Sequence, residues 1–343
     1  MKAIVFDQHG GPEVLRYTDV EEPGLRFGEV LVRVRACALN HLDLWVRQGI
    51  PGLRIPLPHI PGSDVAGVVE KIGAGVTKIG VGQKVLLAPG VTCGKCAACL
   101  AGRDNYCPQF TNLGYMIDGG CAEFVRCPEM NCFPYPESLS FEEAAAIPLV
   151  FQTAWHMLLT RAQLQPGEEV LILGAGSGVG SAATQIAKFF GCRVIATAGN
   201  DAKLAKAKEL GADELINHKT EKIKDEVRKL TAKRGVDVVF EHVGTATWDD
   251  SVASLARGGR LVTCGATTGY EAKIDLRFLF SRQLSILGSY MGNKSEFATV
   301  LKLVAAGKLR PVLDRTFTLA ECRLAHEYLE SSSQFGKVVL TVD

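Results

Sequence analysis

Charge of one sign is what this chain lacks first. Its 343 residues carry 38 Lys and Arg against 37 Asp and Glu, a net charge of +1, with no acidic or basic block. A nucleic-acid backbone or an anionic membrane would need a basic face, so neither partner is expected. Long apolar runs are missing as well. The most apolar region, Ala144 to Leu159, is broken by Pro148, Gln152, Thr153 and His156 and is too short to cross a bilayer. Met1 to Gly10 lacks the basic start and long apolar middle of a signal peptide, so a soluble, cytoplasmic protein is expected. Cysteine is not scarce, but eleven is an odd number, and a chain of this size needs no disulfide framework. Hydrophobic residues make up 47% of the chain, enough for an ample core. Because single cores stop growing at roughly 250 to 300 residues, about two domains are expected.

What the chain does have is a strand, a glycine turn, a helix and a second strand between Glu168 and Lys203. Glu169 to Leu173 is a short apolar run, Gly174-Ala-Gly-Ser-Gly-Val-Gly180 follows, Ser181 to Gly191 has helical apolar spacing, and Arg193 to Ala198 is apolar again. Glycines here let backbone N–H groups approach an anion at a helix N-terminus. The usual G-x-G-x-x-G fails when anchored on Gly180, because Ala175 and Ser177 stand at the other two glycine positions. The turn is one residue longer, with Gly176, Ser177, Gly178, Val179 and Gly180 as the candidate pyrophosphate cradle. A tight turn without a ligand is the bland alternative. The strand before and helix after favour a dinucleotide.

Residues 1 to about 135 read as mainly β. Val30, Val32, Val34 and Ala36 alternate with Arg33 and Arg35, as in a half-buried strand, and Asp64–Ile72 and Gln83–Ala88 are further strands. Cys93, Cys96 and Cys99 are evenly spaced and Cys107 lies eight residues on. Four thiolates at this spacing suit a closed tetrahedral zinc shell, which is structural because no position is open to water or substrate. Free thiols, disulfides and a zinc ribbon for nucleic acid are the alternatives. The last finds no basic footprint around Lys95, Arg103 and Asp104.

A capping box at Ser140-Phe-Glu-Glu143 opens a helix that Pro148 interrupts. From Glu168 onward, strands and helices alternate, with strands at Val236–Phe240, Arg260–Cys264 and Leu284–Gly288 and helices at Asp201–Leu210, Glu221–Lys233, Trp248–Ala256 and Leu276–Ser281. This pattern predicts a doubly wound parallel sheet, with Gly174, Val243, Gly265 and Gly288 around a ligand crevice at the strand ends. A helix over Glu296–Ala306 and a terminal strand over Lys337–Thr341, which returns to the first domain, complete the reading.

With the glycine turn, the four-cysteine lobe and Pro61-Gly-Ser-Asp-Val-Ala-Gly67, the whole chain resembles the medium-chain dehydrogenase/reductase superfamily. The resemblance implies an α/β fold: a GroES-like β domain over 1–149 and 290–343, with the zinc lobe at 90–110, beside a Rossmann domain over 150–289. It also implies one structural zinc on Cys93, Cys96, Cys99 and Cys107. In the zinc alcohol dehydrogenases of that superfamily, the catalytic ligand positions would be Asn40, Ser63 and Leu149 here, and the proton-relaying hydroxyl would be Leu42. A His/Cys/Cys site cannot form from these residues. Asn40 and Asp43 instead resemble the Asn-x-x-Asp pattern of the quinone oxidoreductase branch. The expectation is metal-free hydride transfer to a quinone, enone or alkenal. An alcohol or aldehyde dehydrogenase with an altered metal centre, using Asp64 and His59, is the alternative, and a nucleotide-sensing protein without turnover is a third reading.

By that analogy the candidate catalytic residues are Asn40, Asp43 and Thr153. Bland roles compete: Asn40 as a helix cap, Asp43 as an arginine partner and Thr153 as helix packing. His41 and Lys337 join Val243, Gly265 and Gly288 as candidate cofactor contacts. At the end of the second Rossmann strand the acid that would select NAD is replaced by Ala198, and Gly199, Asn200 and Lys203 leave room for a phosphate. NADP(H) is therefore expected over NAD(H), with Asp201 as the complicating acid. The edge strand Leu284–Leu287 implies a homodimer, or a tetramer built from it.

Overall fold

A computed structural model describes residues 1–343, and the chain divides into two compact units. The first comprises Met1–Leu149 and Asn293–Asp343, and the second comprises Val150–Gly292.

The first unit is organised by a seven-stranded sheet. Its order runs Leu313–Thr318, Lys337–Thr341, Glu29–Ala38, Asp64–Ile72, Lys84–Leu87 and Cys132–Phe133, with Phe124–Pro128 also paired to Glu29–Ala38. Alternation drives the central strand: Val30, Val32, Val34 and Ala36 are buried, whereas Arg33 and Arg35 are not. The terminal strand pairs antiparallel with it, Val339 opposite Ala38, and on its other side Ala38 lies opposite Asp64. Three segments far apart in sequence therefore end together at one edge of the unit. The core beneath is apolar and mostly aliphatic, with Ile4, Phe6, Leu44, Val46, Val65, Val69, Leu113 and Val338 all enclosed.

The second unit is a six-stranded sheet in the order Glu214–Asn217, Arg193–Ala198, Glu169–Ile172, Val236–Glu241, Leu255–Thr263, Ser285–Gly288, with every pairing parallel. Sequence order reverses between the third and fourth strands of that list, which is the switch point where doubly wound sheets open a crevice. Val170, Leu171, Val194, Ile195, Val238 and Val239 are fully enclosed, as expected for strands covered on both faces.

Two local expectations are corrected, and two elements are new. The helix after the glycine turn begins at Gly178 rather than Ser181, because the Ser177 hydroxyl accepts the Gly180 N–H at 2.9 Å and pulls the glycines into its first turn. The helix expected over Trp248–Ala256 spans Thr245–Ala253, and the following strand starts at Leu255, where Leu255 pairs with Val236 ahead of a bulge. The Leu313–Thr318 strand and the Cys322–Glu330 helix have no counterpart in the sequence reading. That helix buries Cys322, Ala325, His326 and Leu329, a helical spacing hidden among charged neighbours.

Candidate functional site

In the first unit, the sheet register brings Asn40, Asp64 and Lys337 into one buried group. The Lys337 Nζ donates to Asn40 Oδ1 at 2.5 Å and to Asp64 Oδ2 at 2.8 Å, and Asn40 Nδ2 donates to the same Asp64 oxygen at 3.0 Å. The other Asp64 oxygen accepts the Leu149 N–H at 2.8 Å. A lysine thus bonds Asn40, one of the residues that resemblance equates with catalytic-metal positions. Ser63 adds a fully buried hydroxyl that has no hydrogen-bond partner. As ligands these groups do not fit zinc: the three positions hold an amide, an aliphatic side chain and a hydroxyl, and the Lys337 ammonium bonded to the amide would repel a cation.

Asn40 precedes the His41–Gln48 helix, and its backbone N–H is accepted by Asp43 Oδ2 at 2.7 Å, the carboxylate half of a capping box. The other Asp43 oxygen accepts the Gly62 N–H at 2.9 Å. Asp43 is wholly buried, and burial pushes its carboxyl above the usual range. Its partners are backbone amides rather than the arginine expected as its bland role, and it anchors the loop that carries Ser63. Gly62 has φ of +104°, and a Cβ there would meet the Cys37 and Cys121 sulfurs at 2.6 and 2.7 Å, so a side chain at this position would disturb the loop. His41 is half-buried, with its ring 6.3 Å from that of Trp45.

The four lobe cysteines converge. All their sulfurs lie within 4.8 Å of one another, with Cys93 to Cys107 and Cys96 to Cys99 at 3.5 Å and Cys93 to Cys99 at 4.0 Å. Backbone N–H groups of Lys95 and Cys96 lower the Cys93 thiol to about 6, which favours a thiolate, while burial raises Cys99 to about 11. Four sulfur donors on one centre fit a structural zinc. Asp104 ties the lobe to the helix that starts at Lys294: its Oδ2 lies 2.8 Å from Lys294 Nζ, which also donates to Gly90 O at 2.8 Å. A cavity of about 600 Å³, lined by Val5, Val20, Ile60, Ile117 and Arg126 among others, lies elsewhere in this unit and touches none of the candidate residues.

In the second unit the glycine turn is stapled to both neighbouring strands. Gly174 N and Ala175 N donate to Thr197 Oγ1 and Thr197 O at 3.2 and 2.8 Å. On the other side the His242 ring lies 3.3 Å from Ser177 Oγ and 2.9 Å from Leu173 O. A Cβ on Gly180 would lie 2.4 Å from Gly174 O, so only glycine lets the chain fold back on itself here. Helix geometry leaves the first N–H groups, including those of Gly178 and Val179, without intrahelical partners, beside Gly176.

Val243, Gly265 and Gly288 follow or end the fourth, fifth and sixth strands of the sheet order, at the same end of the sheet as the turn. Gly265 packs against His242 O, and Gly288 O accepts the Arg161 Nε–H at 2.8 Å. Thr153 is buried in the Pro148–Trp155 helix, with its hydroxyl 3.9 Å from Met291 Sδ.

At the end of the second Rossmann strand, Asn200 caps the next helix by accepting the Lys203 N–H at 2.9 Å, and Asp201 is held by Asn217 Nδ2 at 2.9 Å. Sequence reasoning missed His218 and Lys219, which reach the backbone of Gly199: a Cβ there would lie 3.2 Å from His218 Nε2 and 3.3 Å from Lys219 Cε. It also missed His242 as a wall of the glycine turn. Their signal was a position just past a strand end, visible only once strand neighbours are known.

Residues 26–137 match a family model described as the alcohol dehydrogenase GroES-like domain, and residues 178–306 match one described as zinc-binding dehydrogenase. The chain is 31% identical to the quinone oxidoreductase of Rattus norvegicus, covering 99% of this chain and 97% of that one. It is 34% identical to an alcohol dehydrogenase of Geobacillus stearothermophilus over the full length of both. A solved NAD-dependent alcohol dehydrogenase matches with a TM-score of 0.97 and 48% identity over all of both chains. Together with the cysteine cluster, these findings support NAD(P) use and a structural zinc.

Proposed function

The chain belongs to the medium-chain dehydrogenase/reductase superfamily, and from that membership we propose that it transfers hydride from NADPH to a quinone, enone or alkenal without a catalytic metal. That it is an NAD(P)-dependent oxidoreductase acting on small molecules follows from the family itself. The observation that carries the finer reading is the Lys337 ammonium bonded to Asp64 and to Asn40, one of the positions that would otherwise hold a metal ligand.

A bound nicotinamide supplies the hydride. The protein's part is to position and polarise the acceptor. Asn40 has one N–H committed to Asp64 at 3.0 Å, while the other reaches only Ala38 O, at 3.5 Å. That second N–H is the proposed donor to the acceptor's carbonyl oxygen. Lys337 on the amide oxygen draws electron density from the nitrogen and strengthens the donor, because linked hydrogen bonds polarise one another. Asp43 does not touch substrate in this scheme. It holds Asn40 and Gly62 in position through their backbone amides. Gly176 to Gly180 would hold the pyrophosphate, and Gly199, Asn200 and Lys203 the adenosine end. His41, Val243, Gly265 and Gly288 remain proposed cofactor contacts. Lys337, proposed alongside them, is better read as the partner of Asn40.

The second reading, an alcohol dehydrogenase with an altered metal centre, is favoured by the 48% identity to a protein of that name. It would need Asp64 as a ligand, yet both Asp64 oxygens already accept hydrogen bonds within the chain.

An acceptor panel with and without chelator, combined with metal analysis, separates the two. One zinc per chain and chelator-resistant reduction of quinones or enones supports the proposal. A stoichiometric second metal, or alcohol oxidation abolished by chelation with the fold intact, would overturn it.

A further inference from the structure

The NADP(H) reading rested on an absence, the missing acid at Ala198. The structure adds two ionisable side chains, His218 and Lys219, to the Lys203 already named there. Strand Glu214–Asn217 pairs with Arg193–Ala198 so that Ala198 lies opposite Asn217, and the His218 N–H donates to Ala198 O at 3.1 Å. This register delivers His218 and Lys219 to Gly199, with the imidazole edge and the lysine stem 3.2 and 3.3 Å from where a side chain at 199 would begin. Lys203, one turn into the next helix, is near enough for its charge to act on the same imidazole.

The acids nearby are turned elsewhere. Asp201 accepts from Asn217 Nδ2 at 2.9 Å, and Glu221 accepts the Asn217 N–H at 2.8 Å. The charges that act on the His218 ring are those of Lys219 and Lys203, and its edge lies against the Gly199 backbone. Packing against that backbone, then Lys219 and Lys203, hold its pKa below the usual value of 6.5.

We infer that His218 is a specificity residue of the dinucleotide site: with Lys219 and Lys203 it receives the 2′-phosphate of NADP(H), and binding draws one proton from solvent onto its ring. This inference rests on the NADP(H) reading above and deepens it.

Charge decides the protonation state of the ring. Without phosphate, an imidazole between two ammonium groups favours its neutral form. A phosphate placed among the three reverses the balance and makes the imidazolium a charge-assisted donor. Its pKa is then higher in the complex than in the free protein. The added affinity is complete below the free-protein value and is lost as pH rises through the value in the complex. The phosphate's own second ionisation, near 6, has the opposite effect and strengthens binding to the lysines as pH rises.

The test is the dissociation constants of NADPH and NADH for the full-length protein between pH 5.5 and 8.5, for wild type and His218→Gln. Calorimetry in buffers of different ionisation enthalpy counts the protons taken up. For wild type, the preference for NADPH should fall by about tenfold across this range, with proton uptake near pH 7. In His218→Gln the preference should be weaker at pH 6, should not fall as pH rises, and should show no uptake at this ring. NADH binding should be the same in both proteins. A preference for NADPH with the same size and pH profile in both overturns this inference and leaves the cofactor reading standing. A preference for NADH at every pH overturns both.

Discussion

Lys337 and Asp64 form an ion pair at 2.8 Å with side chains only 4% and 0% exposed, joining the first residue of the terminal strand to the first residue of another strand of the same sheet. Two charges this far from water need each other. The pair is held in place by Asn40 and by the Leu149 N–H, which satisfy further polar atoms of the group.

Lys337→Met leaves a buried carboxylate without its cation, and should destabilise the protein by about 3 to 5 kcal/mol. Adding Asp64→Asn should recover part of the loss. Denaturant melts of the four proteins in the cycle measure this coupling. Additive effects would mean that the pair is not energetically linked. In the double variant, weaker quinone or enone reduction with recovered stability would assign Lys337 its proposed influence on Asn40.

Removing one sulfur from the lobe should remove its metal. Cys99→Ser or Cys107→Ser is expected to lower bound zinc from one per chain to a small fraction, because a closed four-sulfur shell has no spare donor. Atomic emission on purified protein gives the count. Limited proteolysis should cut first within 90–110, where local order depends on the ion. Full zinc retention in both variants would move the site elsewhere.

His326 is wholly buried on the Cys322–Glu330 helix, 3.3 Å from an Arg47 guanidinium nitrogen, and burial lowers its pKa to about 4. In the unfolded chain it titrates near 6.5. Between these values the unfolded state holds a proton that the folded state does not, so stability is full above pH 6.5 and decreases as pH falls toward 4. The difference amounts to about 3 kcal/mol. His326→Gln should flatten this part of the pH profile while lowering stability at pH 8. An unchanged acid limb, measured by urea melts from pH 4.5 to 8, would show that other groups govern it.

Ser285–Gly288 is an edge strand, and Leu276 and Phe280 on the preceding helix are 66% and 70% exposed. An unpaired edge flanked by apolar side chains is a surface that proteins normally cover. A dimer paired across this edge is therefore expected, and Ile286→Arg should give a monomer in light scattering at micromolar concentration. A wild-type monomer at that concentration would contradict it.

Much of the fold was legible locally. Strands over Asp64–Ile72, Arg193–Ala198 and Lys337–Thr341 and the helix over Leu276–Ser281 have the boundaries their residue patterns predict. Hydrophobic alternation and turn residues act within a few positions, so they can be read without knowing what packs against them. The glycine turn was legible for the same reason, but its first helical turn was not, because that depends on a serine hydroxyl reaching back to Gly180.

The sequence by itself determined the parts whose members are close along the chain: the glycine turn, the four-cysteine lobe, most of the strands and helices in their order, and the amide, hydroxyl and aliphatic side chains at positions 40, 63 and 149. Only the tertiary structure decided which distant residues meet them. Lys337 reaches Asn40 across 297 residues, and His218 and Lys219 reach Gly199, because particular strands lie side by side in particular registers. Strand neighbours and register follow from how whole sheets bury their faces, a property of the packed unit that no short stretch of chain carries.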